Sequence, residues 1–288
     1  MTDKFVPARI VITAHPKLPE AMREAALISE YLKGKGIDAP HGSLNDEDLR
    51  KQVRKGAFDL LTAVGGDGTM LRAAHLCAPC GLPILGINQG RLGFLFQTES
   101  QKWQDMVDSL LKGEAWIENR MMLRVEHLRG GETISSWYAL NDAVVSRGQL
   151  VRPVRLSASV DGLKLATYVA DGLIASTSTG STAYALAAGG PILPPELRNI
   201  LLIPIAPHLS VDRAVVFSEG SSVRITVLSE NTVMSVDGQT PIGLAEDDHV
   251  DIRAGEYTAK FVRFGDAGYF YRNLTTHMNQ NPTIGLRR

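Results

Sequence analysis

Over the first 118 residues, short apolar runs alternate with stretches in which apolar positions recur at helical spacing. The apolar runs predict strands and lie at residues 9–14, 58–64 and 83–87. The helical spacing predicts amphipathic helices, which lie at residues 20–33, 46–55, 69–76 and 101–112. Strands that alternate with helices favour an α/β domain over residues 1–118, built on a parallel sheet with ligands at the carboxyl ends of its strands.

From about residue 119 the pattern changes to short runs rich in β-branched residues, at 143–145, 155–160, 222–228, 232–236 and 250–253. Asp161-Gly162 and Asp237-Gly238 separate pairs of such runs, a strong signal for β-hairpins. One helix is predicted here, over 181–188. Residues 119–268 are therefore predicted to form a β-rich domain, an antiparallel sheet or sandwich. Residues 269–288 form a tail that has helical character but gives no signal for where it packs.

The most informative segment is the loop that follows the strand at 58–64. Its sequence is Gly65-Gly66-Asp67-Gly68-Thr69, and a predicted helix comes after it. Glycines at a strand-to-helix turn let backbone N–H groups and the helix N-terminus surround a phosphate. The loop is not a Walker loop, because no Gly-Lys-Ser/Thr follows, and it is not a dinucleotide fingerprint, because Leu71 replaces the third glycine.

Asp67 is the unusual residue of this loop. A carboxylate repels a bound phosphate unless it holds a metal, orients a hydroxyl or accepts a proton, so Asp67 is a candidate functional group. The alternative is a tight turn in which Asp67 caps the following helix. The loop by itself leaves both interpretations open.

Asn141-Asp142 interrupts an apolar segment, which indicates a bulge, a strand end or a ligand site. An amide is suited to an adenine edge and a carboxylate to ribose hydroxyls. At Asp171 a buried-looking strand begins that leads into a hydroxyl-rich loop and a small-residue helix. There Ala183 and Ala187 allow close approach, and Tyr184 offers a ring face to a base. Ordinary Ser/Thr capping is the alternative for this loop.

The composition narrows the class of protein. A formal net charge of −1 over 288 residues gives no support to a nucleic-acid or membrane partner. No apolar run has membrane-spanning length and the N-terminus lacks a signal-peptide pattern, so a cytoplasmic enzyme or binding protein is expected.

Cys77 and Cys80 are interpreted as ordinary thiols, because no second cysteine pair completes a zinc site. No metal ligand of the protein is predicted.

Taken together, these segments resemble the NAD kinases of bacterial type, over essentially the whole chain. The glycine-Asp loop alone is shared with phosphofructokinases and with diacylglycerol and sphingoid-base kinases. The later segments, in their order, are more specific to NAD kinases. The matching segments are 65–69, 88–95, 120–123, 141–142, 171–191 and 237–239. The resemblance implies a phosphofructokinase-like and diacylglycerol-kinase-like α/β N-terminal domain and a β-rich, NAD-binding C-terminal domain, with the active site between them.

The resemblance implies transfer of the γ-phosphoryl group of ATP to the 2′-hydroxyl of the adenosine ribose of NAD, giving NADP and ADP with Mg²⁺. Asp67 matches the proton acceptor for that hydroxyl. A homo-oligomer, dimer or tetramer, is also implied. The positions matched to phosphate and NAD binding are Gly65, Gly66, Gly68, Thr69, Arg72, Asn141, Asp142, Arg152, Asp171, Thr182, Ala183, Tyr184, Ala187 and Gln239.

Two other functions are weighed against this one. A lipid or sphingoid-base kinase uses the same loop but leaves Asn141-Asp142 and residues 182–184 unexplained. A non-catalytic NAD-binding regulator has no reason to retain Asp67. For Asp237-Gly238-Gln239 a hairpin turn is the simplest interpretation, and only its context makes Gln239 a ligand contact. Val169 stands where many bacterial members carry a basic residue, a departure that bears on the choice between NAD and NADH.

Overall fold

The computed structural model describes residues 5–90, 93–97, 103–150, 152–208 and 212–279. Within these ranges the chain divides into two compact units. The first unit runs to Asn119 and resumes at Ala259, and the second is Arg120–Thr258. Parts of three predicted segments lie outside the described residues, namely 91–92, 101–102 and 280–288.

The first unit begins with the predicted alternation of strands and helices. Its elements are β1 (Ile10–Ala14), α1 (Pro19–Gly34), β2 (His41–Ser43), α2 (Glu47–Arg54), β3 (Leu60–Gly65), α3 (Asp67–Cys77), β4 (Ile84–Asn88) and α4 (Trp103–Leu111). The strands are parallel in the order β2-β1-β3-β4, with Leu60 opposite Ile10 and Leu61 opposite Ile84. Every residue of β1, β3 and β4 is buried, as expected for a parallel sheet covered on both faces.

The second unit consists of antiparallel strands, the first of which begins at Ala115 in the first unit. Its elements are β5 (Ala115–Arg129), β6 (Glu132–Ala139), β7 (Asp142–Arg147), β8 (Val154–Val160), β9 (Leu163–Ala170), β10 (Gly172–Thr177), α5 (Tyr184–Ala187), β11 (Asn199–Ile205), β12 (Val215–Ser218), β13 (Val223–Val227), β14 (Thr232–Val236) and β15 (Ile242–Leu244). One sheet has the order β12-β11-β10-β7-β14-β15. In the other sheet β13 pairs with β8, and β8 pairs with β9. Side chains from both sheets form one core, including Val145 and Leu173 on one side and Leu156 and Ile225 on the other. This is a sandwich, as the sequence predicts.

The hairpin prediction at Asp161-Gly162 is confirmed. These two residues have φ of +50° and +81° and join Val160 to Leu163, which pair with each other. Positive φ at both central positions gives the turn whose twist matches the flanking strands. The helix predicted over 181–188 is wrong in extent. A 3₁₀ turn, Thr179–Thr182, is followed by only four helical residues, because Ala183 has a non-helical backbone with φ −97° and ψ −126°.

The chain ends in a long strand and a helix, β16 (His249–Phe264) and α6 (Tyr269–Asn279). The first part of β16 pairs with β13, whereas its residue Phe261 pairs in parallel with Ile84 of β4. The first unit therefore includes residues 259–268, whereas the sequence predicts these residues to be part of the β-rich domain. No helix in the described part of the chain is both long and apolar enough to cross a membrane.

Candidate active site

The loop after β3 places Asp67 at the first residue of α3. Gly66 is the N-cap of this helix, so the alternative in which Asp67 caps it is wrong. Gly66 instead accepts backbone hydrogen bonds from Thr69 and Met70, at 2.7 and 3.2 Å. A Cβ on Gly65 would overlap the Thr69 side chain, so glycine is required there. The Asp67 side chain makes contacts beyond its own helix.

Both carboxylate oxygens of Asp67 accept hydrogen bonds from a second loop. Oδ2 accepts the backbone N–H of Phe94 at 3.1 Å, and Oδ1 accepts that of Leu95 at 3.2 Å. Gly93 makes this approach feasible, because a Cβ built on it would overlap the carboxylate. Two donors on two different oxygens hold the carboxylate in one orientation.

Basic side chains lie near the residues that follow β1 and β3. Arg72 lies one turn along α3 and its Nε donates to the Gly68 carbonyl at 3.2 Å. Partial burial, together with the charges of Arg72 and Lys17, lowers the pKa of His15, which follows β1. A helix N-terminus with nearby basic groups favours an anion such as a phosphate.

In the second unit a pocket of about 440 Å³ opens beside the start of β7. Four predicted residues contribute to it: Asn141, Asp142, Ala183 and Tyr184. Tyr184 is 46% exposed, and its ring is suited to stacking on a base. The remaining lining residues are Val144, Ser146, Ser235, Asp237 and Gly238. The size is within the usual range for small-molecule sites.

Asp237 fixes the backbone that carries Asn141 and Asp142. Its Oδ1 accepts the N–H groups of Asn141 and Asp142 at 2.8 and 3.0 Å, and its Oδ2 accepts that of Leu140 at 2.7 Å. Asp142 is 5% exposed. Burial and, next, the charge of Asp237 raise the pKa of Asp142 to about 7, and a hydrogen bond from the Tyr184 backbone opposes the rise.

The hydroxyl-rich loop packs closely against this turn. Thr177 Oγ1 donates to the Leu140 carbonyl at 2.5 Å, and Ser176 Oγ donates to that of Asn141 at 3.0 Å. Gly180 is required here, since a Cβ on it would overlap the Asn141 carbonyl. These contacts bring the Asn-Asp segment and the Tyr184 segment, which are about forty residues apart, to one pocket.

The sequence matches the family model of the ATP-NAD kinase N-terminal domain over residues 16–115, and that of the ATP-NAD kinase C-terminal domain over residues 140–264. Relatives agree with this match. The chain is 42% identical to the NAD kinase of Heliobacterium modesticaldum over 235 residues, which are 81% of this chain and 82% of the relative. It is 34% identical to the NAD kinase of Chloroflexus aurantiacus over 275 residues, 95% and 99% of the two chains. The chain belongs to the NAD kinase family.

Solved NAD kinase structures have the same fold. Yeast NADH kinase, crystallised with NADH, superposes with a TM-score of 0.82 at 25% identity, covering 98% of this chain and 91% of the other. The NAD kinase of Archaeoglobus fulgidus, in complex with ATP, gives 0.74 at 28% identity, covering 94% and 98%. The predicted fold class, an α/β domain followed by a β-rich antiparallel domain, is confirmed by these likenesses and by the sheets described above.

The other residues matched to NAD kinase sites in the second unit are not among those that line this pocket. Asp171 forms an ion pair with Arg147 at 3.0 Å. Arg152 lines a separate recess of about 290 Å³, formed by the segments that join β7 to β8 and β13 to β14. Gln239 lines a small recess beside Trp137. Thr182 and Ala187 flank Tyr184 on the 3₁₀ turn and on α5.

Sequence reasoning missed several residues of this site. Gly93 gave only a general glycine signal, and its closeness to Asp67 depends on a contact across 26 residues. Asp237 was interpreted as a turn residue, and its φ of +49° agrees with that interpretation. Its second role, as acceptor of three backbone N–H groups, has no local signal. Ser146 and Ser235 face the pocket from β7 and β14, and the alternation of those strands is the pattern from which they were predictable.

Proposed function

We propose that this member of the NAD kinase family transfers the γ-phosphoryl group of ATP to the 2′-hydroxyl of the adenosine ribose of NAD, giving NADP and ADP. The observation that carries this proposal is the Asp67 carboxylate, held by the N–H groups of Phe94 and Leu95 beside the N-terminus of α3. A fixed carboxylate next to an anion site is what proton removal from a hydroxyl requires.

The first unit supplies the groups suited to ATP. The backbone of Gly65, Gly66 and Gly68 and the N-terminus of α3 favour the phosphates, and Thr69 and Arg72 lie on the first turns of the same helix. Mg²⁺ in kinase sites is held largely by substrate phosphates, so it would enter this site with ATP and leave Asp67 as the proton acceptor. When bound, the ion would supply positive charge that offsets the charge developing on the phosphoryl oxygens.

The second unit supplies the groups suited to the adenosine of NAD. Asn141 presents an amide for the adenine edge, Asp142 a carboxylate for ribose hydroxyls, and Tyr184 a ring face for stacking, with Ala183 leaving room. The rest of the dinucleotide is assigned to the matched positions outside the pocket. These are Arg152, Asp171, Thr182, Ala187 and Gln239.

Asp67 accepts the proton of the attacking 2′-hydroxyl. A secondary hydroxyl is a weak acid, so a positioned acceptor late in transfer accelerates the step by roughly 10²–10⁴. Most of the remaining acceleration comes from alignment of the donor and acceptor and from charge neutralisation.

The enzyme is further proposed to work in the cytoplasm as a homo-oligomer, a dimer or tetramer. Light scattering on the purified protein tests the oligomeric state.

The deciding experiment is a coupled assay for NADP formation from NAD, Mg²⁺ and ATP, with wild type, Asp67→Asn and the exposed control Asp105→Asn. We expect activity in wild type and control, and a fall in kcat of roughly 10²–10⁴ in Asp67→Asn. Near-normal turnover by a folded Asp67→Asn protein would overturn the role of Asp67. If wild type binds NAD by calorimetry but forms no NADP with ATP or polyphosphate, the kinase reaction itself is overturned.

A further inference from the structure

We propose that Arg263 is a positioning residue for the reaction, which holds the Asp67 carboxylate in place through the backbone of Leu95. This inference rests on the proposed function of Asp67. It gives the C-terminal strand and helix a role in the chemistry, although neither supplies a residue matched to the site.

Arg263 lies near the end of β16 and is 1% exposed. Its Nε donates to Glu118 Oε2 at 2.9 Å and to the Tyr269 hydroxyl at 3.0 Å. The Tyr269 hydroxyl in turn donates to Glu118 Oε1 at 2.8 Å. A buried ion pair is tolerated only where further hydrogen bonds satisfy its atoms, so this network has one well-defined geometry.

The network reaches residues 93–97, which contact Asp67, through Leu95. Arg263 Nη2 donates to the Leu95 carbonyl oxygen at 3.2 Å, while the Leu95 N–H donates to Asp67 Oδ1 at 3.2 Å. Leu95 is 4% exposed. Both backbone polar groups of one buried residue therefore connect the guanidinium to the catalytic carboxylate. A displacement of the Leu95 carbonyl moves the N–H that orients Asp67.

A second contact ties the same loop to β16 and α6. The Gln97 side chain pairs with the Phe264 backbone in both directions, Nε2 donating to the carbonyl at 2.5 Å and Oε1 accepting the N–H at 2.9 Å. Asn273 on α6 donates to the Gln97 carbonyl at 3.0 Å. Residues 93–97 are thus held by the strand and the helix that carry Arg263 and Tyr269.

The planar guanidinium is needed for this role. Its rigidly arranged N–H groups donate hydrogen bonds to Glu118, Tyr269 and Leu95 at the same time. A lysine ammonium is instead a point charge on a flexible side chain. Arg263→Lys keeps a charge beside Glu118 but loses the fixed donor to Leu95. Misplacing a catalytic group by about 1 Å costs on the order of 10² in rate. We therefore expect kcat to fall roughly 10- to 100-fold while the KM for NAD stays within about twofold.

The test compares Arg263→Lys and Tyr269→Phe with matched controls. Arg129→Lys alters another arginine that pairs with a buried carboxylate, that of Asp248, in the second unit. Tyr31→Phe removes another tyrosine-to-carboxylate hydrogen bond of the first unit, to Asp108 at 2.9 Å. Both controls should keep the wild-type kcat, whereas Arg263→Lys should lose it without a matching change in KM.

Each of the two variants is also made in an Asp67→Asn background. If Arg263 acts through Asp67, the second substitution causes no further fall in the residual kcat. An equal fall in both backgrounds, or a normal kcat in folded Arg263→Lys and Tyr269→Phe, overturns the inference. If Arg263→Lys does not fold, Tyr269→Phe decides by the same two criteria. Absence of NADP formation by wild type would instead refute the proposed function.

Discussion

Burial and the negative charge of Asp237 together raise the pKa of Asp142 to about 7. Asp237 cannot turn away from its neighbour, because its carboxylate accepts the N–H groups of Leu140, Asn141 and Asp142. Two carboxylates thus line one pocket, and one of them changes its charge close to neutral pH. We therefore expect the protonation of Asp142 to affect two properties, the affinity for NAD and the stability of the folded protein.

The first is the affinity for NAD. A ribose hydroxyl donates its hydrogen bond best to an ionised carboxylate, so protonation of Asp142 weakens binding. We expect the KM for NAD to rise below pH 7, by roughly tenfold per pH unit at most. In Asp142→Asn the KM should be raised at pH 8 and change little between pH 6 and 8. A wild-type KM that stays constant over this interval would contradict the role given to Asp142.

The second is stability. The pKa of Asp142 in the folded protein, about 7, lies above its ordinary value of 3.8. Between these values the unfolded chain loses the proton and the folded chain keeps it, so stability falls as the pH rises towards 7. Asp142→Asn has no proton to lose. In urea unfolding, the free energy of unfolding of the variant relative to that of wild type should therefore increase from about pH 4 to pH 7. Above pH 7 the difference should be constant.

The other titrating groups are present in both proteins, so this comparison isolates the ionisation of Asp142 together with its coupling to Asp237. A difference in unfolding midpoint that is the same at pH 5 and pH 8 would show that Asp142 ionises normally in the folded state.

Gly93→Ala tests the contact between Gly93 and Asp67. The added methyl group overlaps the carboxylate, which must rotate or shift. We expect kcat to fall by about 10², because the proton acceptor leaves its productive position. Gly34→Ala is the matched control, since nothing lies within 4 Å of a Cβ at that position. In an Asp67→Ala background the methyl group fits, so Gly93→Ala should then have no further effect on kcat.

Features with a local cause were predictable from the sequence. The strand-loop-helix unit around Asp67 follows from a largely apolar run at 60–64, a glycine cluster and a helical run. The Asp161-Gly162 hairpin follows from the ability of these residues to adopt positive φ. The Asn141-Asp142 pair indicates a bulge, a strand end or a ligand site, and the structure shows a strand end, because β7 begins at Asp142.

Features that depend on distant contacts were not predictable. The position of α6 depends partly on the hydrogen bond from the Tyr269 hydroxyl to Glu118, a residue 151 positions earlier in the chain. The helix over 181–188 was predicted too long because small residues favour helix locally. In the structure the Ser181 hydroxyl instead donates a hydrogen bond to the Ser178 carbonyl at 2.7 Å and accepts one from the Leu193 N–H at 2.9 Å. These hydrogen bonds stabilise a tighter turn. A periodicity analysis has no access to such contacts.

Asp248→Asn should destabilise the second unit without affecting catalysis. Asp248 is 1% exposed and accepts hydrogen bonds from Arg129, the Ala245 N–H and His127. These bonds, Arg129 first, hold its pKa well below 3.8, so its contribution is present above that pH and is lost below it. We expect a loss of roughly 3–5 kcal/mol in urea unfolding at pH 7, with an unchanged KM for NAD. Asp251→Asn, which breaks the exposed pair with Arg224, should cost less than about 1 kcal/mol. Equal losses in the two variants would contradict the importance of burial at Asp248.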